Sequence, residues 1–209
     1  MRVTMPQRAG NAIAIVEYDP RWPALYEEER KRIVAAIGQW APDVHHVGST
    51  AVPGLAAKPI IDIMVAMRSE HEMVLSITPL VQAGYECLGE YGIPGRLYFR
   101  KRTDTPGLGL RHGGVARTHH LHMFPAGHAE WDRHIQFRDY LRVHPTVARE
   151  YQTLKRDLAA RFSTDLEGYT DAKTEFIREI EARAALALSP SRPSTEGQER
   201  GDAAIYALE

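Results

Sequence analysis

The chain has 209 residues, 44% apolar and 25% charged, enough to bury one sizeable core. Its 26 Lys and Arg against 27 Asp and Glu leave a formal charge of −1, so no whole-chain field drives it onto nucleic acid or a membrane surface, and neither is an expected partner. The single Cys87 excludes a disulfide framework and a cysteine-based zinc site and suits a cytoplasmic setting, while no run reaches the roughly 18 apolar residues of a bilayer span and Met1 to Ala14 lacks the apolar segment of a signal peptide.

Ile13 to Glu17 reads as a short edge strand. Asp19 as N-cap and Pro20 at the first helical position open a helix in which Trp22, Leu25, Tyr26, Ile33 and Ile37 recur at helical spacing, until Gly38 stops it. His45 to Val47 reads as a strand running into Gly48-Ser49-Thr50, and Ile60 to Met67 as a second, strongly apolar strand. Ser69 and Glu72 form a capping box for an amphipathic helix carrying Met73, Val74, Ile77, Leu80 and Val81 as far as Gly84. Tyr85 to Leu88, Leu97 to Arg102 and Arg117 to Phe124 are three further strands, the last two joined by a Gly-rich loop from Thr103 to Gly114.

From Ala129 onward the pattern is helical, over about 129–143, 146–162 and 168–188, with Pro145 and Gly168 as separators. Residues 189–209 lack the apolar density to pack and read as a flexible tail beyond a single domain over 1–188, with a short docking segment at Ile205 to Leu208. The order of elements implies an α/β (α+β) fold: a mixed sheet with helices on one face, the other face free for a site, and a C-terminal helical bundle.

Asp62 lies inside the apolar run Pro59-Ile-Ile-Asp-Ile-Met-Val65, where a carboxylate is costly unless paired, hydrogen-bonded or metal-bound. Strand alternation places Asp62 and Met64 on one face and Ile61, Ile63 and Val65 on the core face. Lys58, four residues earlier, is either the partner of Asp62 or a phosphate contact. Gly48, Ser49 and Thr50, thirteen residues before Asp62 counted from Ser49, form a turn of small residues suited to holding a phosphate.

Seven of the ten His (112, 119, 120, 122, 128, 134 and 144) fall within one stretch of the chain. Leu121 and Met123 mark the core face of their strand, so His120 and His122 project together from the opposite face and His119 turns to the core. Two imidazoles at i, i+2 can share a divalent metal or divide into an acid/base group and a phosphate donor. Arg96, Arg100, Lys101, Arg102, Arg111 and Arg117 gather near the Gly-rich loop against only Asp104, which suits a small polyanion or equally a solvated edge. Arg138, one helical turn after His134, is placed to reach the sheet face or to pair with Asp139.

The stretches His46-Val-Gly-Ser-Thr-Ala-Val-Pro-Gly-Leu-Ala-Ala-Lys-Pro-Ile-Ile-Asp62-Ile, Arg117-Thr-His-His-Leu-His122 and Phe137-Arg-Asp-Tyr-Leu-Arg142-Val-His-Pro145 resemble the GrpB family of nucleotidyltransferase-like proteins, some of which are fused to dephospho-CoA kinases. Tyr151 to Lys155 and Tyr169 to Lys173 resemble its later helical motifs, and the resemblance covers about residues 13 to 187. The wider superfamily transfers a nucleoside monophosphate, using a Gly-Ser turn on the phosphates and an Asp-x-Asp pair on two Mg²⁺ ions. Gly48-Ser49 and Asp62 match that layout, but Met64 stands where the second carboxylate would be, and a thioether is a poor ligand for a hard cation. His120 and His122 are the candidate substitutes, shifting the preference from Mg²⁺ toward Mn²⁺ or Zn²⁺.

The first expectation is a metal-dependent nucleotidyltransferase acting on a nucleoside triphosphate and a small acceptor. Asp62, His120 and His122 are its candidate catalytic and metal residues; Gly48, Ser49, Thr50, Lys58, Arg96, Arg100, Lys101 and Arg138 are its candidate phosphate contacts. The alternative is a non-catalytic module that holds a nucleotide or phosphorylated metabolite after losing the second carboxylate. A third reading is phosphoester hydrolysis with His120 as acid/base and His122 orienting phosphate.

Overall fold

The computed structural model describes residues 13–41, 43–103, 110–112 and 115–188. Most of the expected loop from Thr103 to Gly114, the side chains of Arg111 and His112, and the tail with its Ile205–Leu208 segment lie outside the described residues.

Period-two patterning builds six strands: Asp43–Val47 (β1), Ile61–Met67 (β2), Tyr85–Cys87 (β3), Leu97–Thr103 (β4), Leu110–His112 (β5) and Val115–Pro125 (β6). They form one mixed sheet in the order β1-β2-β6-β4-β3, with β5 pairing to β6. Among the described strands only β2 and β6 run parallel, and their register sets Asp62 opposite His120 and Met64 opposite His122. The β5 strand falls inside the segment expected to be loop: Leu110, Arg111 and His112 fold back on Arg117, Ala116 and Val115 and so satisfy backbone groups there.

Helices Trp22–Ile37 (α1) and Glu70–Gln82 (α2) cover one sheet face. Ile33, Ile37, Met73 and Leu80 from these helices pack with Ile61, Ile63, Val65, Phe99 and Leu121 from the strands, the face that alternation assigned to the core. Burying side chains of this size is worth about 1.5–3 kcal/mol each before conformational entropy is subtracted. Ser69 Oγ accepts from the Glu72 amide at 3.3 Å, as a Ser N-cap does. The start of α1 differs from expectation. Asp19 Oδ1 instead accepts from Arg21 N at 2.9 Å in a preceding turn, so the helix begins at Trp22 with Pro23 in its first turn.

Helices Ala129–Val143 (α3) and Pro145–Phe162 (α4) stand where expected. The final expected helix is two, Leu166–Asp171 (α5) and Thr174–Leu188 (α6), joined at Ala172-Lys173. Gly168 does not separate helices: it lies in the first turn of α5 and donates its amide to the Asp165 cap at 2.9 Å. The expected edge strand at residues 13–17 reduces to a single bridge between Val16 and Ala57.

The second sheet face is only partly free. Trp131 and Ile135 of α3 pack on Val47, Met64 and Phe124, so half of that face is a second small core. Met64 is fully buried there, which gives the residue in the Asp-x-Asp position a packing role. The open half carries Asp62 and His120, with α4 and α5 standing beside it.

Candidate functional site

The chain leaves β1 through Gly48, whose φ of +70° and ψ of −172° suit glycine almost alone. A Cβ at this position would lie 2.6 Å from Asp62 Oδ2, so the turn passes directly over the carboxylate only because no side chain intervenes. Gly48→Ala is therefore expected to cost about 2 kcal/mol and to push Asp62 away from His120, read as a lowered denaturation midpoint with the fold otherwise intact. An unchanged midpoint would show that the close approach is not required.

After Gly48, the short 3₁₀ turn Ser49–Ala51 is fixed by its own network. Thr50 Oγ1 donates to Ile60 O at 3.2 Å and lies 3.0 Å from His46 Nε2, which must then be the protonated ring nitrogen. Burial pushes the His46 imidazole down to about 4, so it is neutral, and it stacks on Tyr26 at 4.8 Å. Arg138 donates to His46 O at 3.0 Å and Arg142 donates to Ala51 O through two nitrogens at 3.0 and 2.9 Å, so α3 grips the turn at both ends.

The turn, Lys58, Asp62 and His120 together with α4 and α5 enclose a cavity of about 200 Å³. His120 Nδ1 lies 3.2 Å from Asp62 Oδ1, and its Nε2 is buried with no hydrogen-bond partner among the described residues. Burial pushes the Asp62 carboxyl up, but the hydrogen bond from His120 and the nearby cationic groups outweigh it, and the net shift is downward, toward the ionised form.

Three lysines line the same cavity: Lys58, Lys155 of α4 and Lys173 between α5 and α6. Lys155 is 3% exposed and donates to Ser49 Oγ at 3.0 Å and to Ala56 O at 2.5 Å. Its ammonium lies 4.7 Å from the Tyr151 ring centre, while Lys58 and Lys173 lie 5.1 and 4.4 Å from that of Tyr169. None of the three forms an ion pair with a carboxylate among the described residues. Burial pushes Lys155 down to about 7 and Lys173 to about 8, and lowers Lys58 against the opposing effect of Asp62.

Of the residues singled out in the sequence, Gly48, Ser49, Thr50, Lys58, Asp62 and His120 meet at this cavity. The hydroxyl of Thr50 is already committed to Ile60. His122 points elsewhere: its Nδ1 faces Arg96 Nη1 at 3.3 Å, and burial pushes its imidazole down to about 3. Arg96 is spent on the Glu90 and Tyr91 carbonyls and on the Tyr98 ring. Arg100 pairs with Glu86 at 2.8 Å, and Lys101, on the opposite sheet face, pairs with the buried Glu29 at 2.8 Å. Arg138 holds the turn from behind. These four cations line no part of the cavity.

The residues present do not fit a two-cation centre. Met64 is buried in the second core, His122 is turned to Arg96, and no group of three His, Cys, Asp or Glu side chains among the described residues is arranged to hold a metal. Asp62 and His120 remain as a hydrogen-bonded pair beside three ammonium groups.

In the sequence, Tyr151 to Lys155 and Tyr169 to Lys173 stand out as helical stretches with no site role assigned to them. The signal was the repeated spacing Tyr151-x-x-x-Lys155 and Tyr169-x-x-x-Lys173, which sets each Tyr and Lys on one face of a helical turn.

Among the described residues no helix is long and apolar enough to cross a membrane. The GrpB protein family model matches residues 12–183. UPF0157 protein YqkA of Bacillus subtilis is 38% identical over 172 residues, covering 82% of this chain and 47% of that protein, so the chain spans about half the length of this relative. The crystal structure of conserved protein GrpB from Enterococcus faecalis is 36% identical and superposes with a TM-score of 0.73, covering 83% of this chain and 98% of that one. A weak likeness, with a TM-score of 0.44 at 16% identity, links 67% of this chain to 42% of the Cid1 poly(U) polymerase solved with MgGTP. With the family model spanning nearly all of the described residues, the chain belongs to the GrpB protein family.

Proposed function

We propose that this protein binds the phosphate groups of a small phosphorylated ligand, a nucleotide or a similar metabolite, in the cavity between the Gly48–Thr50 turn, Asp62 and helices α4 and α5. One observation carries the reading: Lys58, Lys155 and Lys173 converge on one cavity with no ion-pair partner among the described residues. Lys155 is buried and Lys58 and Lys173 are half-buried; withdrawing ammonium groups from water without a counter-ion is costly, and an anion in the cavity offsets that cost.

In this reading Lys155 and Lys173 hold phosphate oxygens, Ser49 offers its hydroxyl to the same anion, and Lys58 neutralises charge next to Asp62. Asp62 orients His120 through the Nδ1 hydrogen bond, leaving Nε2 available to a protonated phosphate or hydroxyl. The buried Met64 and the diverted His122 favour a binding module over two-metal nucleotidyl transfer.

Calorimetric titration with tripolyphosphate and with ATP at pH 6.5, with and without Mg²⁺, tests this. Binding is expected without Mg²⁺, and about tenfold weaker in Lys173→Gln, a loss of about 1.4 kcal/mol. A strict Mg²⁺ requirement, or affinity untouched by Lys173→Gln, would overturn it.

A further inference from the structure

Resting on the proposed anion site, we infer that its ligand is a compact polyanion read through its phosphate groups, and that no nucleobase is recognised.

A nucleobase is held by stacking on an aromatic face, by hydrogen bonds to its edges, or by both. Among the described residues, the aromatic rings lining the cavity besides His120 are Tyr151 and Tyr169. They are 4% and 1% exposed, so neither has a free face to offer. Tyr151 is sandwiched by its own fold: it stacks on Phe176 at 5.3 Å, meets Phe137 edge-on at 5.5 Å, and lies under the Lys155 ammonium. Tyr169 serves Lys58 and Lys173 in the same way. Both tyrosines thus support cations and present none of their own surface to a base.

The remaining lining groups read charge. Lysine ammonium groups are compact point charges without the planar fork that matches a base edge or a carboxylate, and among the described residues no Asn, Gln or Arg lines the cavity. Its volume of about 200 Å³ falls below the roughly 300–1,000 Å³ of sites that enclose drug-sized ligands. Three ammonium groups against the single carboxylate of Asp62 leave an excess of two positive charges, a match for a di- or triphosphate group.

The test is a titration series on the full chain without metal at pH 6.5, using tripolyphosphate, ATP, GTP, CTP and UTP, with citrate as a polycarboxylate of similar charge. The expected result is that tripolyphosphate binds as tightly as each nucleotide, the four nucleotides agree within about threefold, and citrate binds at least about tenfold more weakly. One nucleotide binding about tenfold tighter than tripolyphosphate would overturn the inference while leaving the anion site standing. Citrate matching tripolyphosphate would overturn the phosphate preference. Failure of every anion to bind would overturn the site itself and this inference with it.

Discussion

Replacing Lys155 with methionine is expected to abolish tripolyphosphate binding, by about 100-fold or more, while making the unliganded protein more stable. Lys155 is 3% exposed, and burial pulls its ammonium down from 10.5 to about 7. At about 1.4 kcal/mol per unit, keeping this group charged in the folded protein at neutral pH costs on the order of 4 kcal/mol. Methionine keeps a flexible apolar stem of similar length and removes the charge. It also strips Ala56 O of its donor, which returns about 1–3 kcal/mol of that gain. A net increase of about 2 kcal/mol remains, visible as a higher urea midpoint at unchanged slope. The pairing of the two outcomes is diagnostic. A lysine retained for packing would lose stability on replacement, whereas one retained for an anion loses binding and gains stability. A lowered midpoint, or undiminished anion affinity, would sink the assignment.

The reach of sequence reasoning is visible in particular residues. Strand alternation sets Asp62, His120 and His122 on one face because the two-residue period is strict; Asp62 and His120 meet there, whereas His122, two residues on, turns to Arg96. The same rule, applied to Arg100 and Lys101, divides them: adjacent on β4, they point to opposite faces, one to Glu86 and one to Glu29, so a run of cations on a strand cannot converge on one anion. Lys155 meets Ser49 across more than a hundred residues of chain and Lys173 lines the same cavity, and no local pattern measures such a distance. Tyr151 belongs to the apolar side of its helix and also to the site: its ring packs between Phe137 and Phe176 while the Lys155 ammonium lies over it. The expected helix over 168–188 differs at two points: Asp165 caps α5, so helix starts at Leu166 ahead of Gly168, and no glycine or proline marks the break at Ala172-Lys173 that divides α5 from α6. Met64 is the reverse case, where the sequence marked the missing carboxylate and the fold supplied the reason, a second core under Trp131 and Ile135.

The affinity for a polyphosphate is expected to fall steeply as pH rises above about 8, and binding there is expected to take up protons. Below about 7 the ammonium groups of Lys155 and Lys173 are already protonated, so the anion meets full charge and no proton moves. Between about 8 and 10 the free protein holds both amines largely neutral, and an entering anion must recharge them. Each recharged group then costs up to tenfold in affinity per pH unit. Titrations at pH 8.5 in buffers of different ionisation heat should differ by the heat of between one and two protons, and at pH 6 by almost none. The unliganded protein carries the mirror-image dependence. Its folded lysines lie below their unfolded value of 10.5, so the unfolded chain binds more protons between about 7 and 10. Stability therefore rises with pH across that window, with Lys155 contributing up to about 1.4 kcal/mol per unit. Above about 10 the trend reverses, because burial holds Tyr169 up at about 12 while the same phenol ionises freely in the unfolded chain. Anion and proton thus assist each other at the same lysines, and an affinity constant from pH 6.5 to 9 would show that the lysines of this cavity are not what the anion meets.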